Sequence, residues 1–406
     1  MFHAFRALRY DKAKAGDHQA LVTEPYDKIS AELKSRYLAA SPKNIVRVIR
    51  GESGPTDESW HRGAAELFAS WRAEGVIKRD ERPSYGLYEQ EFTGPDGRKL
   101  RRRAVVGLID LQKRDRVFHH ERTHKKARDD RRRLLEASAS HLELIFLLRH
   151  EGPPLPVDAI AGARREARAL DQDGVENLFS IIDDPAAVAA LESIYDGSRF
   201  VIADGHHRFT VAGEYADEHP DVPGASRVLA AVVEADDPGL VILPTHRVLK
   251  GLPGDRSRGL APLIQRLGAE PVPSTGEAAH FLGRVRSAGP GTVGVVVHGG
   301  NYLWRLGEVG APDDVTALDT QRLSENFLKP LLRGLSEEDH LSYRRSGEAA
   351  VMDVQERGSD IAFILNPVTP AIVAAVASKG GVMPPKSTDF YPKMLSGFVF
   401  YDTRET

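Results

Sequence analysis

The stretch 198–219 constrains the fold of this chain more strongly than any other part of its sequence. It opens with apolar, β-forming residues, which predict a short strand, and it continues through an Asp-Gly pair. Apolar residues then recur at helical spacing up to the end of the stretch. The pattern predicts a strand that turns directly into a helix, with His206, His207 and Arg208 on the first turn of that helix.

A helix that begins in this way is suited to hold an anion. The free N–H groups and the dipole at its N-terminus favour negative charge, and Arg208 can add two parallel donors to a phosphate. Asp204 would then place a carboxylate beside that phosphate. The alternative is an ordinary turn, in which Asp204 caps the helix and the polar side chains are solvated. Chemically similar clusters elsewhere in the chain favour the phosphate site.

The composition narrows the range of functions. A chain of 406 residues can form about two or three domains, and its contents of 41% hydrophobic and 28% charged residues are typical of globular proteins. The net charge of −3 gives no general attraction to nucleic acid or membranes, and the absence of cysteine excludes disulfides, thiolate metal sites and cysteine nucleophiles. No stretch approaches the roughly 20 apolar residues of a membrane span, and no signal region is evident. We therefore expect a cytoplasmic protein with no nucleic-acid or membrane partner.

Helical and strand patterns are mixed along the chain, which indicates the α+β class. The clearest predicted elements are helices over 30–40 and 59–74 and strands over 84–93 and 103–111. After Gly251 the sequence becomes richer in glycine and proline. This change predicts a boundary between a region of residues 1–250 and a smaller C-terminal α/β unit of residues 251–406.

A second polar cluster, at 118–125, contains the His-Glu-x-x-His string of zinc metalloproteases. On a helix, His120 and His124 would share one face, and Glu121 could act as the general base. Basic residues follow the string, however, and no third ligand follows at a recognisable spacing. The other interpretations are a solvated, basic helix start and a basic wall around a polyphosphate.

Two further clusters offer donors to an anion: Thr245, His246 and Arg247 at the turn into a strand, and Lys386, Ser387, Thr388 and Lys393 on a C-terminal loop. The loop resembles a P-loop only superficially, because Pro385 lacks the N–H group that a phosphate cradle needs. The alternative interpretation of these clusters is an ordinary strand edge and an ordinary surface loop.

Six motifs, taken in order, resemble those of a bacterial and archaeal family, domain of unknown function 1015. They lie at 5–10, 25–27, 120–123, 202–208, 244–247 and 383–388. Because they extend over nearly the whole chain, the resemblance is specific, although the family name implies no activity.

The Asp-Gly-His-His-Arg string at 204–208 also resembles the nucleotide-phosphate motif of the ParB/sulfiredoxin-like superfamily, and its free serine kinase branch in particular. This resemblance implies a ParB/sulfiredoxin-like mixed core in residues 1–250, with a large insertion at about 80–195. The absence of cysteine excludes the sulfinate chemistry of sulfiredoxin. The strand-like sequence at 226–249 disfavours the DNA-reading helices of partition proteins.

The resemblance implies that a nucleotide binds, and for ATP or ADP we expect Mg²⁺ to bridge the phosphates. The resemblance places Gly205, His206, His207 and Arg208 on the nucleotide phosphates and Asp204 near the transferred group. The further predicted cofactor-binding residues are Thr245, His246, Arg247, Ser387, Thr388 and Lys393. The predicted catalytic residues are Asp204, Glu121 and Lys386, with Asp204 also a metal ligand, and the predicted substrate-binding residues are Tyr26, Asp27, His120 and Thr123.

The leading hypothesis is a phosphotransferase that moves a phosphoryl group between a nucleotide and a small hydroxyl compound, with free L-serine as the best candidate. Lys386 and Arg247 would neutralise the transferring group, and either Glu121 or Asp204 would accept the hydroxyl proton. The alternatives are a nucleotide-sensing regulatory protein without turnover and a metal-dependent phosphomonoester hydrolase. The leading hypothesis requires the clusters to converge on one pocket. A homodimer is one possible assembly.

Overall fold

A computed structural model of the chain describes residues 1–51, 60–121, 125–273, 277–307 and 315–405. Its backbone divides into two compact units. The first unit comprises Met1–His119, Thr123–Val241 and Pro392–Thr406, and the second comprises His120–Arg122 and Ile242–Tyr391. Each unit combines helices with β-sheet, so the chain has a mixed α/β fold.

A nine-stranded sheet forms the centre of the first unit. Eight of its strands follow one another in the spatial order Val117–Phe118, Phe200–Asp204, Ile145–Arg149, Arg227–Glu234, Lys99–Asp110, Tyr85–Thr93, Glu176–Ile182 and Arg164–Leu170. The first two of these strands are parallel to each other, as are the third and fourth, and the other neighbours are antiparallel. The ninth strand, Phe2–His3, pairs with Lys99–Asp110. The segment at about 80–195 contributes six strands to this sheet.

The hairpin formed by Tyr85–Thr93 and Lys99–Asp110 confirms the two predicted strands and extends the second one. Its turn passes through Gly97, whose φ of 80° suits glycine. The second strand begins earlier than its apolar residues do, because charged residues pair across the hairpin. Arg101, for example, lies 2.7 Å from the carboxylate of Glu89.

The helical segments of the first unit are Lys12–Ala15, His18–Ala20, Tyr26–Lys28, Ala31–Ala40, Val46–Ile49, Trp60–Ala73, Leu111–Arg116, Lys125–Ser138, Val157–Ala161, Pro185–Tyr195 and His206–Glu218. The two predicted helices are confirmed. Ala31–Ala40 begins after Ser30, whose hydroxyl accepts the N–H of Leu33 at 3.1 Å. Trp60–Ala73 buries Phe68 and Trp71, as its helical periodicity predicts.

Two small sheets complete the first unit. One pairs Leu8–Tyr10 with Ile77–Arg79, and the other pairs Ser140–His141 with Tyr401–Asp402. Both are antiparallel. The second of them attaches the C-terminal segment to a strand that lies just before Glu143.

The second unit is built on a six-stranded antiparallel sheet. Its strands follow the order Glu270–Val272, Gly300–Arg305, Thr292–Val297, Ile361–Ile364, His246–Leu249 and Leu341–Arg344. A further pair of strands is Val241–Leu243 and Asp389–Tyr391. The helical segments are Gly254–Arg266, Ala278–Ala288, Val315–Ala317, Asp319–Leu323, Ser324–Leu328, Lys329–Leu331, Glu337–His340, Gly347–Gln355 and Pro370–Ser378.

Buried apolar side chains line both faces of this second sheet. One cluster includes Leu249, Val295 and Phe363, and another includes Val248 and Val296. Successive residues of one strand therefore belong to different clusters, as the two-residue period of a strand requires. In neither unit does a described helix have the length and apolar character that crossing a bilayer would need.

Candidate functional site

The strand, turn and helix predicted around the Asp-Gly-His-His-Arg string are present in the first unit. The strand Phe200–Asp204 leads into Gly205, and the helix His206–Glu218 starts at the next residue. Gly205 has a φ of 92°, and a Cβ atom there would lie 3.0 Å from Nη2 of Arg208. Gly205 is the N-cap residue, so the capping role considered for Asp204 is wrong. Since glycine has no side chain, this position supplies no side-chain cap to the first-turn N–H groups.

Asp204 lies between two cations instead. Its Oδ1 accepts a hydrogen bond from Nζ of Lys393 at 2.9 Å, and its Oδ2 accepts one from Nη2 of Arg208 at 3.1 Å. Burial by itself would raise the pKa of this carboxyl, but the two positive charges outweigh burial and hold the pKa well below its usual range. Asp204 is therefore ionised near neutral pH and is a weak proton acceptor.

A second carboxylate faces Arg208. Oε1 of Glu143 lies 3.6 Å from Nη1 of Arg208, and the Glu143 side chain is only 4% exposed. Burial favours the neutral form of Arg208, but the charges of Glu143 and Asp204 outweigh this effect and raise its pKa. Our sequence reasoning missed Glu143. The signal that could have found it is a single acid beside the apolar run 144–148, because a buried carboxylate requires partners.

Lys393 reaches Asp204 from a backbone segment that buried polar side chains hold in place. Nε2 of Gln90 donates to the carbonyl oxygen of Lys393 at 2.8 Å, and Nη2 of Arg102 donates to that of Pro392 at 2.5 Å. Arg102 also donates to Oε1 of Gln90, and burial lowers its pKa to about 10. These contacts fix the main chain from which the Lys393 ammonium extends.

The predicted substrate residues Tyr26 and Asp27 lie in the short helical turn Tyr26–Lys28 of the same unit. The N–H of Tyr26 donates to Oε1 of Glu143 at 3.0 Å, and the guanidinium of Arg131 lies 4.1 Å from the centroid of its ring. Burial raises the pKa of Tyr26 to about 12, whereas Asp27 is exposed. The Tyr26 turn and Arg208 therefore contact the same carboxylate.

The two motif histidines differ in exposure. His206 is buried, and its ring centroid lies 5.8 Å from that of His119. Its carbonyl oxygen accepts the hydroxyl hydrogen of Thr210 at 3.0 Å. His207 is half-buried. Their position on the first helical turn is confirmed, and their contact with phosphate stays a prediction.

In the second unit, Thr388 contacts two residues of the predicted His-Glu-x-x-His string. Its Oγ1 lies 2.9 Å from Nε2 of His120 and donates to Oε1 of Glu121 at 3.3 Å. The carbonyl oxygen of His120 accepts the N–H of Met383 at 2.7 Å. His120 is fully buried, so these contacts account for a polar residue in the interior.

The described residues of the string, His120 and Glu121, do not adopt the helical arrangement that the zinc interpretation requires. His120 and Glu121 precede the helix, which begins at Lys125. Thr123 and His124 lie outside the described residues. In the described part of the chain, the one group of three His, Asp or Glu side chains close enough to share a metal ion is Glu136, Glu218 and His219, none of which is a predicted site residue.

Arg247 lies in an environment unlike that of Arg208. Its guanidinium donates to the backbone carbonyl oxygens of Thr245, Pro385 and Lys386, the last two at 3.3 and 3.1 Å. The residue is 3% exposed, and burial lowers its pKa to about 10. In this arrangement Arg247 holds a loop, and its contact with a transferring group stays a prediction.

The neighbours of Arg247 are also engaged within the second unit. Nδ1 of His246 accepts the N–H of Leu365 at 3.2 Å, and burial lowers the pKa of His246 to about 4, so it is neutral near pH 7. The Ser387 hydroxyl donates to the carbonyl oxygen of Pro384 at 2.7 Å. Lys386, by contrast, is exposed.

The predicted site residues fall into two groups. The first unit holds Tyr26, Asp27, Asp204, Gly205, His206, His207, Arg208 and Lys393, and the second holds His120, Glu121, Thr245, His246, Arg247, Lys386, Ser387 and Thr388. The convergence of all clusters on one pocket stays a prediction.

The first group defines a class of site. A glycine-capped helix start, a guanidinium and an ammonium around one carboxylate form a centre suited to an anion, on a mixed α/β protein. A family model described as a protein of unknown function, DUF1015, matches residues 2–321. The chain belongs to this family, which confirms the family that the motifs predict. Five of the six motifs lie within the matched residues, and the one at 383–388 lies outside them.

Several solved structures are also similar to this chain. A mutant free serine kinase in complex with ADP is 15% identical with a TM-score of 0.38, over 70% of this chain and 86% of that one. A conserved hypothetical protein from Pyrococcus furiosus is 15% identical with a TM-score of 0.36, over 70% and 89%. A C-terminally truncated SbnI from Staphylococcus aureus is 14% identical with a TM-score of 0.36, over 72% and 85%. Among curated proteins, no sequence matches.

Proposed function

We propose that this chain is a phosphotransferase that binds a nucleotide through its phosphates at the start of the helix His206–Glu218. It moves a phosphoryl group between that nucleotide and a small hydroxyl compound, with free L-serine as the best candidate. The observation that carries the proposal is the shared contact of Arg208 and Lys393 with Asp204. Two cations meet there beside a helix start without a side-chain cap.

Exchange of acceptors explains how such a site can bind a phosphate. Asp204 and a phosphate both present anionic oxygens to guanidinium and ammonium donors. A phosphate can therefore take over contacts that Asp204 makes, while the first-turn N–H groups add further donors. Arg208 keeps a second counter-ion in Glu143, so its guanidinium stays charged and held during this exchange.

The electrostatics also divide the roles within the site. Phosphoryl transfer depends on positioning and charge neutralisation, which Arg208 and Lys393 can supply. A proton acceptor works best with a pKa near the operating pH, and the lowered pKa of Asp204 makes it unsuited to that task. Asp204 is better suited to steering the two cations. Glu121 is then the remaining sequence-based candidate for the proton acceptor.

The predicted Mg²⁺ fits Asp204 poorly in this arrangement. Both of its carboxylate oxygens already accept hydrogen bonds from cationic groups, one from Lys393 and one from Arg208. A metal ion there would bring a further positive charge next to the Lys393 ammonium and the Arg208 guanidinium, which repel it. The proposed mechanism therefore assigns no step to a metal bound by Asp204.

Nucleotide sensing without turnover is a second candidate function, and one observation favours it. Asp204, the carboxylate beside the proposed phosphate site, has a lowered pKa and is a poor proton acceptor. A site that only binds a nucleotide needs no proton acceptor, so this property agrees with sensing. This alternative shares the anion site with the kinase hypothesis and differs only in the absence of product.

The test is an incubation of the purified protein with Mg²⁺, L-serine and ATP, ADP or CTP, with phosphoserine measured by mass spectrometry. The proposal expects phosphoserine from the wild type and none from Arg208→Ala. Arg114→Ala is a matched control. Arg114 forms an ion pair of 3.0 Å with Asp217, which lies near the C-terminal end of the helix His206–Glu218. The control therefore also removes an Arg–Asp pair on this helix, but one far from its start. Thermal stabilisation by nucleotide without product, lost in Arg208→Ala only, would support the sensor. No product and no stabilisation in the wild type would refute both functions.

A further inference from the structure

Glu143 is the most highly connected buried carboxylate beside the proposed phosphate site. Its Oε1 accepts the N–H of Tyr26 at 3.0 Å and the Ser396 hydroxyl at 3.4 Å, and lies 3.6 Å from Arg208. Its Oε2 accepts a hydrogen bond from Nη1 of Arg131 at 3.5 Å. A carboxylate that is 4% exposed thus receives two backbone or hydroxyl donors and faces two guanidinium groups.

The two arginines differ in what else holds them. Arg131 also donates to Asp130 and, at 3.0 Å, to the carbonyl oxygen of Ile49, so it has anchors besides Glu143. Among the described residues, the one further ion pair of Arg208 is with Asp204, and Asp27 adds a weaker, more distant negative charge. If a phosphate takes over contacts of Asp204, Glu143 becomes the counter-ion that keeps the Arg208 guanidinium in place.

The space around Glu143 is too small for another side chain to replace it as the counter-ion of Arg208. Arg131, Glu143 and Arg208 line a cavity of about 40 Å³ whose other walls are mainly apolar, among them Leu134 and Val211. A space of this size holds a few water molecules at most. Two guanidinium groups beside it would repel each other without the carboxylate.

We propose that Glu143 is a positioning residue, which fixes the Arg208 guanidinium relative to the turn Tyr26–Lys28. This inference rests on the proposed function, since Arg208 is the proposed phosphate ligand and Tyr26 and Asp27 are the predicted acceptor-binding residues. In this inference, Glu143 sets the distance between the bound nucleotide and the bound acceptor. Both ligands therefore depend on a residue that contacts neither of them.

The test measures ADP affinity by calorimetry and phosphoserine formation with L-serine, for the wild type and Glu143→Gln. The substitution keeps the size of the side chain and removes its charge. We expect ADP affinity to fall about tenfold, the cost of weakening a charge-assisted contact, and the KM for L-serine to rise as well. Glu143→Asp keeps the buried charge but shortens the side chain by one carbon, so it should fold readily and still lose affinity.

A matched control separates positioning from general destabilisation. Glu234→Gln removes a half-buried carboxylate of the first unit, which pairs with the buried Arg149 at 2.8 Å and makes no contact with the motif residues in the described structure. It should lower thermal stability while leaving ADP affinity unchanged. Equal weakening of ADP binding in Glu234→Gln and Glu143→Gln would overturn the inference.

A double-mutant cycle tests whether Glu143 acts through Arg208. In an Arg208→Lys background, which keeps the charge but not the two-pronged geometry, Glu143→Gln should change ADP affinity less than about twofold. The same loss in both backgrounds would overturn the inference, as would wild-type affinity in Glu143→Gln. If the wild type itself bound no nucleotide, the proposed function would fail and this inference with it.

Discussion

Arg208 in the first unit and Arg247 in the second are both arginines of predicted phosphate-binding clusters, yet their partners differ in kind. Arg208 contacts the carboxylates of Asp204 and Glu143, which are themselves held by other donors. Arg247 donates to three backbone carbonyl oxygens, which belong to the chain segments that it joins. One guanidinium is part of an ionic cluster, and the other is part of the local backbone structure.

This difference bears on which cluster can receive a ligand. A carboxylate that loses one cation still has another, because Lys393 remains with Asp204 and Arg131 with Glu143. The three carbonyl oxygens that Arg247 serves would each lose a charge-assisted hydrogen bond, and the loop would lose the side chain that joins it to the strand. Ionic clusters of shared partners can therefore exchange a contact for a ligand, whereas an arginine that satisfies backbone carbonyls mainly stabilises the fold.

The largest expected effect comes from replacing the two arginines in turn. Arg247→Met should lower the free energy of unfolding by about 3 kcal/mol, because it removes the donor from three carbonyl oxygens. Arg208→Met should cost less, about 1 kcal/mol, since its acidic partners keep other donors. Urea unfolding measures both. Equal losses would contradict the distinction drawn between the two sites.

The same pair of variants should differ in the opposite sense in nucleotide binding. Arg208→Met should abolish thermal stabilisation by ADP, and Arg247→Met should keep it at temperatures where that variant is folded. A loss of the ADP response in Arg247→Met alone would indicate that the phosphate binds at the cluster around Arg247 instead.

The pH dependence of stability gives the next largest effect. The pKa of His246 falls from an ordinary 6.5 to about 4 in the folded chain, so the folded state binds fewer protons than the unfolded state. Its contribution is complete above pH 6.5 and is lost as the pH falls toward 4. We expect the wild type to lose about 2 kcal/mol more than His246→Asn between pH 6.5 and about pH 5, measured by urea unfolding.

His141 provides the matching measurement in the first unit. Burial lowers its pKa to about 4 as well, and its ring stacks on Tyr401 with centroids 6.0 Å apart. His141→Asn should likewise flatten the acid side of the stability profile. Identical pH profiles for the wild type and both variants would show that neither histidine is held neutral.

A smaller effect is expected at the turn that starts the motif helix. Gly205→Ala should cost about 1–2 kcal/mol, because alanine is strained at positive φ. It should also weaken ADP binding, because the new methyl would crowd Arg208. Gly97→Ala is the control, with a φ of 80° and no atom within 4 Å of its Cβ position. It should share the backbone strain and leave ADP binding intact.

The smallest effect on stability is expected at Lys386. This residue is exposed and has a φ of 57°, a conformation that asparagine also tolerates. Lys386→Asn should change the free energy of unfolding by less than about 0.5 kcal/mol. If Lys386 neutralises the transferring group, phosphoserine formation should fall while ADP affinity changes little. Unchanged phosphoserine formation would show that Lys386 is not a catalytic residue.

The sequence alone determined the local framework of the candidate site. The strand before Asp204, the turn at Gly205 and the helix carrying Arg208 follow from residue periodicity and from the conformational freedom of glycine. The family also followed from motifs read in order. These features depend on neighbours in the sequence or on fixed residue patterns, which is why they were accessible.

Only the tertiary structure decided the partners of the charged groups. Lys393 is 189 positions from Asp204, and Tyr26 is 117 positions from Glu143, so no local pattern links them. Arginine pairs with carboxylates at position 208 but donates to backbone carbonyl oxygens at position 247, because different groups pack around the two side chains. Electrostatic contacts depend on distance in space and on burial, and the folded chain sets both of these quantities.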